Sequence, residues 1–195
     1  MTATRRDRRE RDMRRWSYAE FARLPSDDGN RYEVIAGELH VTPAPRPLHQ
    51  IVVTELATRI HAFVGEHDVG RVFVGPIDVL FAEGDYLAPD IVFVRRERRG
   101  IISERGLEGA PDLVVEVVSE STAGRDRGIK RERYAHYGVP EYWVVDPEAR
   151  RIEVHRPAED PERPRVVDDT LVWRPVPGGP ALEISVRDAL RGFAE

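Results

Sequence analysis

The chain has no cysteine, which excludes disulfides, thiolate zinc sites and cysteine nucleophiles together. It has no run of 18 apolar residues, so no membrane-spanning helix is expected. Its first residues, MTATRRDRRERDMRRW, carry no apolar stretch of the secretory kind, and the expectation is a soluble, cytoplasmic protein. No GxxxxGK[ST] loop occurs, which argues against nucleotide hydrolysis through a P-loop. Among the histidines, His40, His61, His67, His136 and His155 show no metal-ligand spacing. Lysine is almost missing: of 30 basic residues, every one but Lys130 is arginine.

Charge is abundant but uneven. Charged residues make up 33% of the 195-residue chain, and the formal net charge is −5. Residues 1–15 hold seven Arg against Asp7, Glu10 and Asp12, so the rest of the chain is more acidic than the total. So acidic a body lacks the broad basic face that binds nucleic acid without specificity. The length fits one domain of ordinary size, read as residues 16–195, with residues 1–15 as a disordered basic arm. A phosphate-seeking role for the arm is the competing reading.

Periodicity outlines the elements. SYAEFARL (17–24) opens with Ser17 and has Glu20 three residues on, a capping box that stops before Pro25. RYEVIAGELHVT (31–42) reads as a hairpin around Ala36-Gly37, and PAPRP (43–47) as a stiff connector. Val52, Leu56, Ile60, Phe63 and Val64 recur at helical spacing over 48–66. Strand-like runs follow at 71–75, 77–82 and 87–94, then a polar loop rich in Arg, Glu and Gly, then DLVVEVVS at 112–119. Residues 125–138 read as a helix ending at Gly138, with Asp126, Lys130, Tyr134 and Tyr137 on one stripe. Strands at 141–146 and 151–156, a loop at 157–164, a hairpin in VVDDTLVWRPV and a short capped helix in ALEISVRDALRGF complete the chain. The expected class is α/β or α+β, built on one mixed sheet flanked by helices.

The chemistry begins with carboxylates where strands should be apolar. Glu116 shares a strand face with Val114 and Val118, and an ionised carboxylate there costs several kcal/mol unless a cation or hydrogen bonds compensate. A buried Arg is one such partner. Asp90 heads the apolar run IVFV after Pro89, where it reads alone as a strand-start residue, and Glu33 lies inside YEVIAGEL, where a salt-bridged edge residue is an equal reading. Taken together, three embedded acids and a helix stripe bearing the only lysine suit a divalent metal site with hard oxygen ligands, Mg²⁺ foremost and Mn²⁺ as a substitute. Lysine beside it would orient or polarise an attacking water. His49, at the start of the long helix, reads as a cap or packing residue, Ser119 as the end of its strand, and Tyr134 as packing beside Lys130 or positioning phosphate.

The succession Tyr32-Glu33, His49, Pro89-Asp90 with IVFV, Pro111-Asp112 through Glu116 to Ser119, Asp126, Lys130, Tyr134 and GVPEYWVVDP (138–147) resembles the Uma-two family of bacterial restriction-endonuclease-like proteins, within the PD-(D/E)XK nuclease superfamily. The resemblance covers roughly residues 30–155. It implies a restriction-endonuclease-like core that cuts DNA with Mg²⁺, with Asp90 and Glu116 as metal-binding acids and Glu33 as an additional acid. The superfamily places its lysine two residues after the second acid, where this chain has Val118. In families of this kind the following helix supplies it, which fits Lys130. Related folds cut as dimers, so a homodimer is one expected arrangement. Two other readings stay open: a nuclease-fold module that binds DNA or protein without turnover, and a stable domain whose acids form structural ion pairs only.

Overall fold

Alternation along one strand explains how the molecule is layered. Leu113, Val115 and Val117 enter one apolar cluster, while Val114 and Val118 enter another on the opposite face. The structure, a computed structural model, describes residues 15–25 and 27–192. The expected basic arm therefore lies, up to residue 14, outside the described residues.

In chain order the elements are α1 (Tyr18–Phe21), the hairpin β1 (Arg31–Ile35) and β2 (Glu38–Thr42), the long α2 (Pro47–His67), β3 (Gly70–Val74), β4 (Val79–Ala82), β5 (Asp85–Leu87) and β6 (Ile91–Arg95). A 3₁₀ turn (Arg96–Ile101) leads to β7 (Ile102–Ser103), β8 (Gly106–Leu107) and β9 (Leu113–Val117). Next come α3 (Ala123–Arg125), a π-type turn (Asp126–Lys130) and α4 (Arg131–His136). The chain continues with β10 (Tyr142–Asp146), β11 (Arg151–His155), β12 (Arg165–Val167), β13 (Thr170–Trp173), β14 (Leu182–Ser185) and α5 (Val186–Ala189).

Local chemistry accounts for the ends. The Ser17 hydroxyl accepts from the Glu20 N–H while the Glu20 carboxylate accepts from the Ser17 N–H, the reciprocal capping box that the sequence shows. In the β1–β2 hairpin Ile35 faces Glu38, which leaves Ala36 and Gly37, both at positive φ, as a two-residue turn. On α2, Val52, Val53, Leu56, Ala57, Ile60, Phe63 and Val64 form its buried stripe. Among the described residues, no helix is long and apolar enough to cross a membrane.

The fold is mixed α+β, as expected, but the strands form two six-stranded sheets and not one. The first runs β2-β1-β5-β4-β8-β7 and the second β12-β11-β10-β9-β6-β3, with β13-β14 as a separate pair. The second sheet is mixed: β9 and β10 are parallel, and its other pairings are antiparallel. One face of this sheet packs on α2, α5 and the β13-β14 pair around Phe93, Trp143 and Trp173. Its other face meets the first sheet and α4, with Val92, Val114 and Val144 against Ile35, Leu87, Leu107 and Tyr134. Glu116, on the Val114 side, therefore faces the space between the two sheets.

Three local readings are corrected. VVDDTLVWRPV is not a hairpin: β12 joins β11 and β13 pairs with β14, because Asp168-Asp169 carries the chain from one sheet to another. The segment LEIS is strand β14, and only Val186–Ala189 beyond it is helical, capped by the Ser185 hydroxyl. The helix expected over 125–138 is interrupted, since Gly128 (φ −100°, ψ −107°) leaves helical geometry.

Candidate functional site

Strand register brings the first two acids together. β6 pairs with β9 through Ile91↔Val115 and Val92↔Val114, and one further step of that antiparallel ladder sets Asp90 beside Glu116. The Val117 N–H donates to Asp90 Oδ2 at 2.8 Å and locks the carboxylate against the neighbouring strand. Glu33 comes from β1 in the other sheet, where its Oε1 accepts the Ala88 N–H at 3.0 Å. Lys130 comes from the far end of the π-type turn, a widened geometry often found at functional positions.

These groups meet. Lys130 Nζ lies 2.8 Å from Glu33 Oε1, 2.5 Å from Glu116 Oε1 and 3.6 Å from Asp126 Oδ1, and all four residues are buried. Tyr134 donates its hydroxyl to Glu116 Oε1 at 2.8 Å, so it packs beside Lys130 as its position on the stripe suggests. Asp90 Oδ1 is held by Arg31 Nη1 at 2.8 Å and by His49 Nε2 at 3.2 Å. Glu33, Asp90, Glu116 and Lys130 line one cleft of about 580 Å³.

Burial and charge pull these groups apart in acidity. Burial pushes the Glu116 carboxyl up to about 8; Lys130 pulls it back, and Asp126, Asp90 and Glu33 push it further. Burial acts to raise Asp90 too, but the His49 hydrogen bond, the Arg31 charge and the Val117 N–H outweigh it and bring it down to about 2. Glu33 is held low against its burial by Lys130, the Ala88 N–H and Arg125. Burial alone would favour a neutral Lys130, yet Glu116, Glu33 and Asp126 overcome it and keep the ammonium protonated.

The donors are hard oxygens, and Glu116 is under-compensated, a combination that fits a divalent cation. Among the described residues no three acids or imidazoles already stand together as a ligand shell. Lys130 and Arg31 occupy the carboxylates instead.

Of the two readings of His49, the cap is excluded. The residue flanking the helix start is Arg46 and helical positions begin at Pro47, while His49 turns its ring onto Asp90. Ser119 lies two residues beyond the end of β9, which stops at Val117, with its N–H donating to Thr122 Oγ1 at 3.1 Å, and it also lines the cleft. Arg31 and Arg125 line it as well, and sequence reasoning singled out neither. In a chain whose basic residues are nearly all arginine, nothing in their spelling sets these two apart.

Residues 18–187 match the sequence profile of the Uma2 family, described as "Putative restriction endonuclease". No curated protein matches the chain. Among the solved structures that do is one titled a "putative nuclease belonging to DUF820" from Anabaena variabilis. It superposes with a TM-score of 0.73 over 90% of this chain and 97% of that one, at 21% sequence identity, a likeness of fold.

Proposed function

The chain belongs to the Uma2 family, and from that premise we propose that it is a Mg²⁺-dependent endonuclease that hydrolyses DNA phosphodiester bonds in the Glu33–Asp90–Glu116–Lys130 cleft. One observation carries the reading: the only lysine of the chain is buried between acids delivered by both sheets, and the same cleft admits a ligand. Asp90 and Glu116, with Glu33 as the additional acid, would hold Mg²⁺ or Mn²⁺, which when bound supplies positive charge to the phosphoryl oxygens and acidifies water.

The chain's own groups do the rest. Lys130 presents an ammonium with three donors and no acceptor, suited to orienting a water or countering charge on a phosphoryl oxygen. Tyr134 fixes the Glu116 carboxylate, and the Val117 N–H fixes Asp90. Although they line the cleft, Glu33, Asp90, Glu116 and Lys130 are buried, and this limited contact with bulk water strengthens each of these interactions.

Plasmid nicking in Mg²⁺, Mn²⁺ and EDTA tests this. Wild type is expected to cut with either metal and not in EDTA. Lys130→Met should lose cleavage by about 10²–10⁴-fold, the range for removing a positioned acid–base group. It should also cost up to about 3–5 kcal/mol of stability, because Glu33 and Glu116 lose the ammonium between them and keep only Arg125 at 3.8 Å and the Tyr134 hydroxyl, so melting curves accompany the assay. Full activity in Lys130→Met rejects the lysine's role, and cutting by Asp90→Ala/Glu116→Ala rejects the metal site. Wild type that binds DNA but never cuts it would support a module without turnover.

A further inference from the structure

On the cleft wall one arginine is hydrogen-bonded to an acid and another is not. Arg31 gives Nη1 to Asp90 at 2.8 Å and to the Ala88 carbonyl at 3.2 Å. Arg125, at the end of α3, donates Nη2 to the neutral Thr42 hydroxyl at 2.7 Å, and Glu33 Oε2 lies 3.8 Å away, beyond hydrogen-bond reach. Its Nε is buried and has no hydrogen-bond partner. A buried N–H left unpaired costs about 1–3 kcal/mol, and because Arg125 lines the cleft, a small shift of its guanidinium would bring this donor to an acceptor held there.

The surroundings suit an anion. Ser119, Ser121 and Thr122 line the same cleft, and their hydroxyls bond to one another at 3.2–3.3 Å, neutral donors that can turn. Glu120, the acid on this loop, also lines the cleft but is exposed, so water screens its charge. A guanidinium offers Nε–H and Nη–H as a parallel fork that matches two oxygens of a phosphate, a geometry an ammonium lacks.

We propose that Arg125 is the phosphate anchor of the cleft: its Nε–H and Nη–H grip the non-bridging oxygens of a DNA backbone phosphate, with the Ser121 and Thr122 hydroxyls beside them. This deepens the nuclease reading and rests on it. Arg125 thereby holds the backbone phosphate, which leaves Lys130 to the reacting water or phosphoryl oxygen.

The experiment compares wild type with Arg125→Gln, Arg125→Lys and Thr42→Val. Binding of a fluorescent duplex oligonucleotide is followed by anisotropy in EDTA and in Ca²⁺ across a salt series, alongside steady-state cleavage and thermal melting. Arg125→Gln should raise Kd and KM about tenfold with little change in kcat, and lower the salt slope by about one. Arg125→Lys should fall between. Thr42→Val, which frees the guanidinium without removing it, should keep Kd within about twofold. If wild type cuts while Arg125→Gln binds and cuts with unchanged Kd and KM, and melts as early as Thr42→Val, Arg125 only straps β2 to α3 and the proposal falls while the nuclease reading stands. If wild type neither binds nor cuts, the nuclease reading fails and the anchor with it.

Discussion

Asp78 shows what a half-buried acid costs when no cation reaches it. Burial, with Glu33 nearby, pushes its carboxyl up from 3.8 to about 6. A carboxyl whose acidity is weakened on folding binds more protons in the native state, so stability falls as pH rises from about 4 to about 6 and stays lower above that. Asp78→Asn should therefore match wild type below pH ~4 and exceed it above pH ~6 by about 1 kcal/mol once solvent screening is allowed for. Melting curves at both ends of that range check it; equal curves above pH ~6 would count against it. The same residue-scale logic explains which parts of the site were legible. Glu116 was legible because a carboxylate among valines is out of place, and Lys130 because it is the only lysine. Arg31, His49 and Arg125 were not, because their roles arise from partners 41 to 83 residues away in sequence.

Elements carry the site through their register. The β1–β2 hairpin fixes which way Glu33 points, and its turn holds Ala36 at φ 53°, where a non-glycine residue pays about 1 kcal/mol. The Ala36 N–H donates to Asp85 Oδ1 at 2.8 Å, a backbone bond that a substitution keeps. Ala36→Asn, giving the Asn-Gly pair favoured in such turns, should raise stability by up to about 1 kcal/mol, or about 2–4 °C in Tm. Cleavage should be unchanged, and a drop in Tm would show that the turn is not the source of strain. Most elements could be read from the chain because periodicity reports which faces are buried. It does not report which strand lies alongside: β1 meets β5 through Val34 and Tyr86, 52 residues apart, and no local pattern announces that pairing. This is why one sheet was expected and two are present. The break at Gly128 escaped for a related reason, since an isolated glycine is compatible with a continuous helix.

At the scale of the whole molecule, the cleft is where the two sheets and the interrupted helix meet. Glu33 belongs to the first sheet, Glu116 to the second, and Asp90 stands at the start of β6 in the second. A cation shared among these acids would tie the layers together, so its binding should stabilise the entire fold and not one loop. At a hundred times its Kd, a ligand bound only by the folded state adds about 2.7 kcal/mol, which for a chain of this size is about 5–10 °C in Tm. Mg²⁺ or Mn²⁺ should produce such a rise, with Na⁺ at matched ionic strength as the control for simple screening. Glu116→Gln should remove most of the rise. In EDTA the same variant should melt near the wild-type temperature, because burial already holds the Glu116 carboxyl largely protonated near neutral pH and glutamine is its neutral isostere. Wild type whose Tm ignores Mg²⁺ and Mn²⁺ would mean that Lys130 and Arg31 already complete the charge balance, leaving the acids as structural ion pairs in a fold that has kept its shape without its metal.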